Sequence, residues 1–288
     1  MNRNLLPWLV RLGWLSLAAT AGTALGDALD SRSTPVAVVA ATLAWTTWAG
    51  GLLALLVPRP VGLVAVRVGS VAAAGAAAWS VLDAGRAGDA VLVALSAVPA
   101  VLAFLPATGE WLVNGASYGH ERRYLLRAPA ALLLGPVLLA GATVIAGLLA
   151  GPLLLAARAW VAGGLAVAVG VPAAAVAARA LLGLAQRWIV LVPAGLVVKD
   201  HTALLDPMLF RREDIAHLRP APADSDAADL TAGTFGLALE LRLRTPNEVS
   251  QVVRRDEKPV ARELEALLVT PTRPGALVAD AAGRRIPT

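Results

Sequence analysis

Apolar positions in the first two thirds of the chain come in long unbroken runs. In the last third they alternate with charged ones. The longest run, Ala131 to Leu184, exceeds fifty residues and holds only two charges, Arg158 and Arg179. No soluble core hides that much apolar surface, so the pattern predicts lipid-embedded helices. Arg158 divides the run into two spans, 131–157 and 159–184. Four further apolar segments precede them, at 5–25, 36–57, 61–82 and 90–105. The breaks between them are Asp27 to Thr34, Pro58-Arg59-Pro60, and a short loop with Asp83, Arg86 and Asp89. A long polar loop, Pro106 to Pro129, separates the fourth span from the fifth.

From residue 186 the period changes. Trp188 to Val192 and Leu196 to Lys199 are β-rich runs flanking Pro193-Ala194-Gly195, which is hairpin chemistry. Met208 to Phe210 and Asp214 to Arg219 are shorter strand candidates, and Ala221 to Thr234 reads as a flexible loop. In Phe235 to Arg244, Leu237, Leu239, Leu241 and Leu243 fall on one face and Glu240 and Arg242 on the other, as in a half-buried strand. Val249 to Arg254 is expected to pair with it across Thr245-Pro246-Asn247. Pro259 is expected to open a helix to about Val269, with Val260, Leu264, Leu267 and Leu268 on one face and Asp256 or Glu257 near its start. Pro271 and Pro274 end that helix, leaving 270–288 as a loosely ordered tail. The expected fold is thus a six-helix transmembrane bundle over 1–185 fused to a small β-rich domain over 186–269 with a C-terminal helix.

Charge then sets orientation. The net charge is +5, and all of that excess belongs to residues 1–184. With a cytoplasmic N-terminus the inner side receives Arg3, Arg11, Arg59, Arg67, Arg122, Arg123, Arg127, Arg179 and Arg187. The outer side receives only Arg32, Arg86 and Arg158. Nine against three is a strong positive-inside bias. It places both termini, the long loop and the soluble part in the cytoplasm, on an inner-membrane protein. Cleavage of the first segment after Gly26 is the weaker alternative, because Arg11 interrupts the apolar run. The charge needs no nucleic-acid partner to explain it. Cysteines are absent, which excludes disulfides and thiolate chemistry.

Short strands followed by one amphipathic helix, opening with RWIVLVPAGLVVKD, resemble bacterial PH-like domains. The whole chain resembles uncharacterised actinobacterial multi-span membrane proteins that carry such a domain. The resemblance implies a scaffolding or regulatory module with no enzymatic activity. No basic headgroup motif is carried over from it.

No catalytic residue, metal ligand or cofactor site stands out. All twenty acids are expected in loops, at span ends or in the β-rich part, with none inside a span, which disfavours ion-coupled transport, and no phosphate-binding loop or hydrolase motif is present. His120, Arg122, Arg123 and Arg127 form the one candidate site, an anionic lipid or phosphate contact on the long loop, against the plainer reading of a topogenic loop. Trp45 and Trp48 are expected to pack between helices, and His201 and His217 lack a third ligand. The expected function is a non-enzymatic membrane protein that presents a cytoplasmic domain to a protein partner or to itself. A component of a lipid or solute transporter, with the long loop as headgroup site, is the alternative.

Overall fold

The computed structural model describes residues 5–84, 90–251 and 260–288. The expected caps Asp256 and Glu257, and the loop residues Arg86 and Asp89, lie outside the described residues. In chain order the first elements are α1 (Leu5–Ser16), α2 (Ala21–Leu29), α3 (Thr34–Leu56), α4 (Pro60–Ala84), α5 (Ala90–Phe104) and α6 (Pro106–Asn114). Then follow β1 (Arg122–Leu125), α7 (Ala130–Leu133), α8 (Pro136–Ala156) and α9 (Trp160–Ala185). The rest is β2 (Trp188–Val192), β3 (Gly195–Lys199), β4 (Met208–Arg211), β5 (Ile215–Pro220), β6 (Ala228–Asp229), β7 (Leu239–Gln251), β8 (Val260–Val269) and α10 (Pro274–Gly283).

These elements form two compact units. The helical unit comprises residues 1–115 and 137–182, and the β-unit comprises 116–136 and 183–288. The expected boundary at 185/186 is therefore incomplete. The second half of the long loop belongs with the C-terminal strands, and two long helices interrupt the β-unit in sequence.

Among the described residues, five stretches of the helical part are long and apolar enough to cross a membrane, or six if α5 and α6 count as one broken span. α5 and α6 meet at 61°. The expected fourth span stops here because Leu105 precedes Pro106. A residue before proline is pushed out of the helical region, and Leu105 takes ψ 134° while Pro106 opens the next helix. The Thr108 hydroxyl donates to the Leu102 carbonyl at 2.7 Å and satisfies part of the broken ladder. The first span is also broken, between Ser16 and Ala21.

Packing in this unit uses close backbone approach. Trp14 and Trp48 each donate their indole N–H to the other's carbonyl, at 2.9 and 3.2 Å. Trp48 therefore packs between helices as expected, whereas Trp45 is exposed and meets Trp48 edge-on. A Cβ at Gly51 would fall 1.9 Å from the Trp14 ring, so only glycine fits there. α8 and α9 meet at Gly147 and Gly170, where a Cβ on Gly147 would lie 2.3 Å from the Gly170 carbonyl.

The β-unit is two four-stranded sheets, one in the order β1-β2-β3-β4 and one in the order β5-β7-β8-β6. The first is an antiparallel meander in which Arg123 pairs with Val190 and Val190 with Val197. The expected hairpin at Pro193–Gly195 is present. In the second sheet β7 pairs antiparallel with β5 and β8, and the two-residue β6 runs parallel to β8. Tyr124, Ile189, Leu191, Phe210, Leu218, Leu239, Leu241, Leu267 and Leu277 close the core between the sheets and α10.

Three expectations are corrected here. Residues 260–269 form strand β8, not a helix. The pairing of β7 with β8 slips between Arg242 and Asn247, and Leu264 and Leu267 of β8, three residues apart, are both buried. Two buried leucines at that spacing read as one face of a helix. The expected turn at Thr245–Asn247 is this irregularity inside β7, which tolerates Pro246 as central strands do not. Finally, 270–288 is not a loose tail: Pro274 occupies the first turn of α10, and Leu277, Ala281 and Ile286 are buried.

Candidate functional site

The β-unit has two ends, distinguished by what the chain does there. At one end β1 leads into the apolar run beginning at Ala130, and β2 emerges just after Ala185. The two connecting stems, 126–128 and 186–187, are clamped together. Leu126 N donates to the Arg187 carbonyl at 3.0 Å, and Arg187 Nη1 donates to the Arg127 carbonyl at 3.0 Å. The rest of the Arg187 fork is bidentate to Asp200, 2.7 Å on each side, and both side chains are almost fully buried. Asp200 also accepts from Thr202 N and Oγ1. Burial alone pushes the Asp200 carboxyl up, but the Arg187 fork and Thr202 outweigh it and hold the group below its ordinary range. A planar guanidinium is the side chain suited to such a two-pronged buried pair. Nothing in the sequence pattern marked Arg187 and Asp200; they lie thirteen residues apart at opposite ends of a hairpin whose register brings them together.

The candidate residues of the long loop are distributed among several tasks. Arg122 pairs with Asp280 on α10 at 2.7 Å and lies over the Tyr124 ring. The Tyr124 hydroxyl donates to the same carboxylate. Arg123 lies over Trp188, whose ring also receives Lys199, and donates to the Ala116 carbonyl. Arg127 donates to the carbonyls of Phe235 and Pro271. These three arginines do not converge on a common point: they fasten β1 to α10, to β2 and to the loop before β7.

His120 separates from them. It lines an open depression of about 430 Å³ with Pro193, Arg212, Gly283, Arg284 and Arg285. This lies at the end of the first sheet opposite the stems. Arg284 is fixed by donating to the carbonyls of Leu191 and His120, and Arg285 holds φ 61° just beyond α10. Among the described residues, no carboxylate lines the depression. Arg212, Arg284 and Arg285 were not singled out in sequence because they come from distant segments.

A second buried network centres on Glu240, placed by sequence on the solvent side of its strand. It is buried, and it accepts from Ser225, from His217 Nε2 at 3.0 Å and from Arg242 Nε at 3.0 Å. The Ser225 hydrogen bond, with those from His217 and Arg242, holds its carboxyl down at about 2 against the cost of burial. Ser225 thereby pins the expected flexible loop onto β7. His201 is exposed elsewhere in the unit. Ser225 and His217 both bind the carboxylate and not each other, so they do not form a nucleophile–base pair.

In the helical unit, Glu110 falls inside α6 and is buried, which corrects its assignment to a loop. The arginines there reach carbonyls in the last turns of neighbouring helices: Arg11 to Leu55 at 3.2 Å and Arg67 to Ala103 at 3.2 Å. Arg32 instead pairs with Asp83 at 2.6 Å and lies over Trp79.

No family model matches the chain, and neither a curated protein nor a solved structure is found similar to it.

Proposed function

We propose that the chain is a non-enzymatic inner-membrane protein whose β-unit is a cytoplasmic PH-like interaction module, split in sequence by a transmembrane helical pair. The observation that carries this is the pairing of β1 with β2, the strands on either side of α7–α9. Two adjacent strands whose stems hydrogen-bond to each other leave and return on one side of a membrane, so α8 and α9 form a hairpin across it. The positive-inside bias makes that side cytoplasmic. A four-stranded meander, a second sheet and a closing C-terminal helix support the PH-like reading.

The partner-facing end is then the one far from the stems. His120, Arg212, Arg284 and Arg285 offer a cationic depression there, suited to an acidic segment of a cytoplasmic protein or of a second copy. The transporter reading, with a headgroup site on Arg122, Arg123 and Arg127, draws less support because each of these already has a protein partner.

Topology is tested in a chain free of cysteine. Single cysteines at Ser31 and Ala159 are expected to react with an impermeant maleimide on intact cells. Those at Ser117 and Ser225 are expected to react only after lysis. Labelling at Ser225 from outside overturns the proposal.

A further inference from the structure

We propose that the loop Thr231–Leu237 is a membrane anchor, with Phe235 and Leu237 seated in the bilayer interface beside the point where the chain enters its fifth apolar run. This rests on the membrane reading above. Phe235 is 69% exposed and Leu237 50%, while Leu230 and Leu239 on either side are buried. The core is therefore complete without them, and their exposure is a property of the loop.

The loop is also built. Ala232, Gly233 and Gly236 all take positive φ, 53°, 68° and 111°. Thr231 N donates to Asp229, and the Thr234 hydroxyl donates back to the Thr231 carbonyl at 2.6 Å. Its tip is tied to the outgoing stem: Arg127 Nη1 donates to the Phe235 carbonyl at 3.2 Å, and Thr234 Oγ1 reaches the Ala128 carbonyl at 3.5 Å. A Cβ at Gly236 would lie 2.4 Å from the Arg127 guanidinium, so a glycine is needed for the arginine to hold the loop. Such fixation presents an aromatic side chain outward in a set place.

What surrounds that place follows from the covalent chain. Arg127, Ala128 and Pro129 immediately precede Ala130–Ala156, a 27-residue span whose 18-residue apolar window has mean hydropathy 2.3. Leu133 and Leu134, in the same unit, are exposed as well. An environment that accepts this run and begins within three residues of Arg127 is a lipid interface. There an aromatic ring and leucine sit below the headgroups, and an arginine stem beside them reaches the phosphates. The anchor would fix the tilt of the β-unit on the membrane, and so the direction in which the His120 depression faces.

The test is site-directed spin labelling of the full chain in phosphatidylcholine–phosphatidylglycerol vesicles, reading collision rates with oxygen and with a water-soluble nickel chelate. Phe235→Cys is labelled, with Leu139→Cys as the reference for lipid and Ala223→Cys for water, both at exposed positions. The expected result is an oxygen-to-nickel ratio at 235 several-fold above that at 223 and below that at 139. A water-like ratio at 235 with a lipid-like one at 139 overturns the anchor and leaves the membrane reading standing. A water-like ratio at 139 overturns both. Shielding of 235 from both reagents means that protein covers the loop, and it also overturns the anchor.

Discussion

Arg67 in the helical unit and Arg187 in the β-unit carry the same guanidinium and meet different partners. Arg67 donates to a carbonyl in the last turn of α5 and lies over Phe104; Arg187 is bidentate to a buried carboxylate. Arg11 repeats the first pattern at the end of α3, over Trp8 and Trp111. The last carbonyls of a helix have no partner within it and carry the negative end of its dipole, so they accept a cation without a second charge being buried. In a bundle whose outer surface is apolar that is the cheaper arrangement. The β-unit instead buries charge in closed networks, Arg187–Asp200 and Glu240 with its three donors. Arg11 and Arg67 cap helix ends in one unit, and Arg187 holds tertiary structure in the other.

The comparison breaks most readily at the neck. Arg187→Ala leaves Asp200 buried without its counter-ion, which costs about 3–5 kcal/mol, whereas replacing both residues by apolar ones of similar size costs far less. Thermal unfolding of the full chain in mild detergent is expected to show a large loss for the single variant and partial recovery for Arg187→Met with Asp200→Leu. Equal losses would mean that packing, not charge, matters there. In the helical unit, the corresponding weak point is backbone contact. Gly147→Val collides with the Gly170 carbonyl and is expected to cost about 1–3 kcal/mol. Gly141→Val meets nothing within 4 Å and is expected to be silent by the same assay.

A smaller effect, confined to acid, belongs to Glu240. Its carboxyl lies at about 2 in the folded chain against an ordinary 4.5. A group depressed on folding contributes its full stability above the ordinary value and loses it as pH falls toward the folded one. The β-unit's melting temperature is therefore expected to fall between about pH 4.5 and 2, and the Glu240→Gln variant to fall less steeply over that window. Smallest of all is Arg211→Ala, which removes an exposed 3.7 Å pair with Glu213 and is expected to leave the melting temperature unchanged.

The sequence made some elements legible and hid others for physical reasons. Long apolar runs and the Pro193–Gly195 hairpin are local signals, and both are found. β1 is a four-residue strand whose partner lies beyond two long helices, so nothing near Arg122 announces it. β8 mimics a helix because its buried Leu264 and Leu267 lie three residues apart. Pro274 reads as a helix stop or a helix start, and only the buried Leu277 and Ala281 decide between them. Of the candidate residues, His120 lines an open depression with Arg212, Arg284 and Arg285, which come from segments far from it in the chain. Arg122, Arg123 and Arg127 were noticed for charge density, and the register of β1 gives each a separate structural task.

The central claim is that one β-unit is assembled from chain segments on both sides of the helical pair. It is tested most directly by joining residues 116–128 to 187–288 through a short flexible linker and following unfolding by circular dichroism. The stems already touch at Leu126 and Arg187, so the linker spans little distance. The joined chain is expected to unfold cooperatively, and residues 187–288 alone, lacking the strand that carries Tyr124, are expected not to. Cooperative unfolding of 187–288 at the same midpoint with and without residues 116–128 would contradict the account.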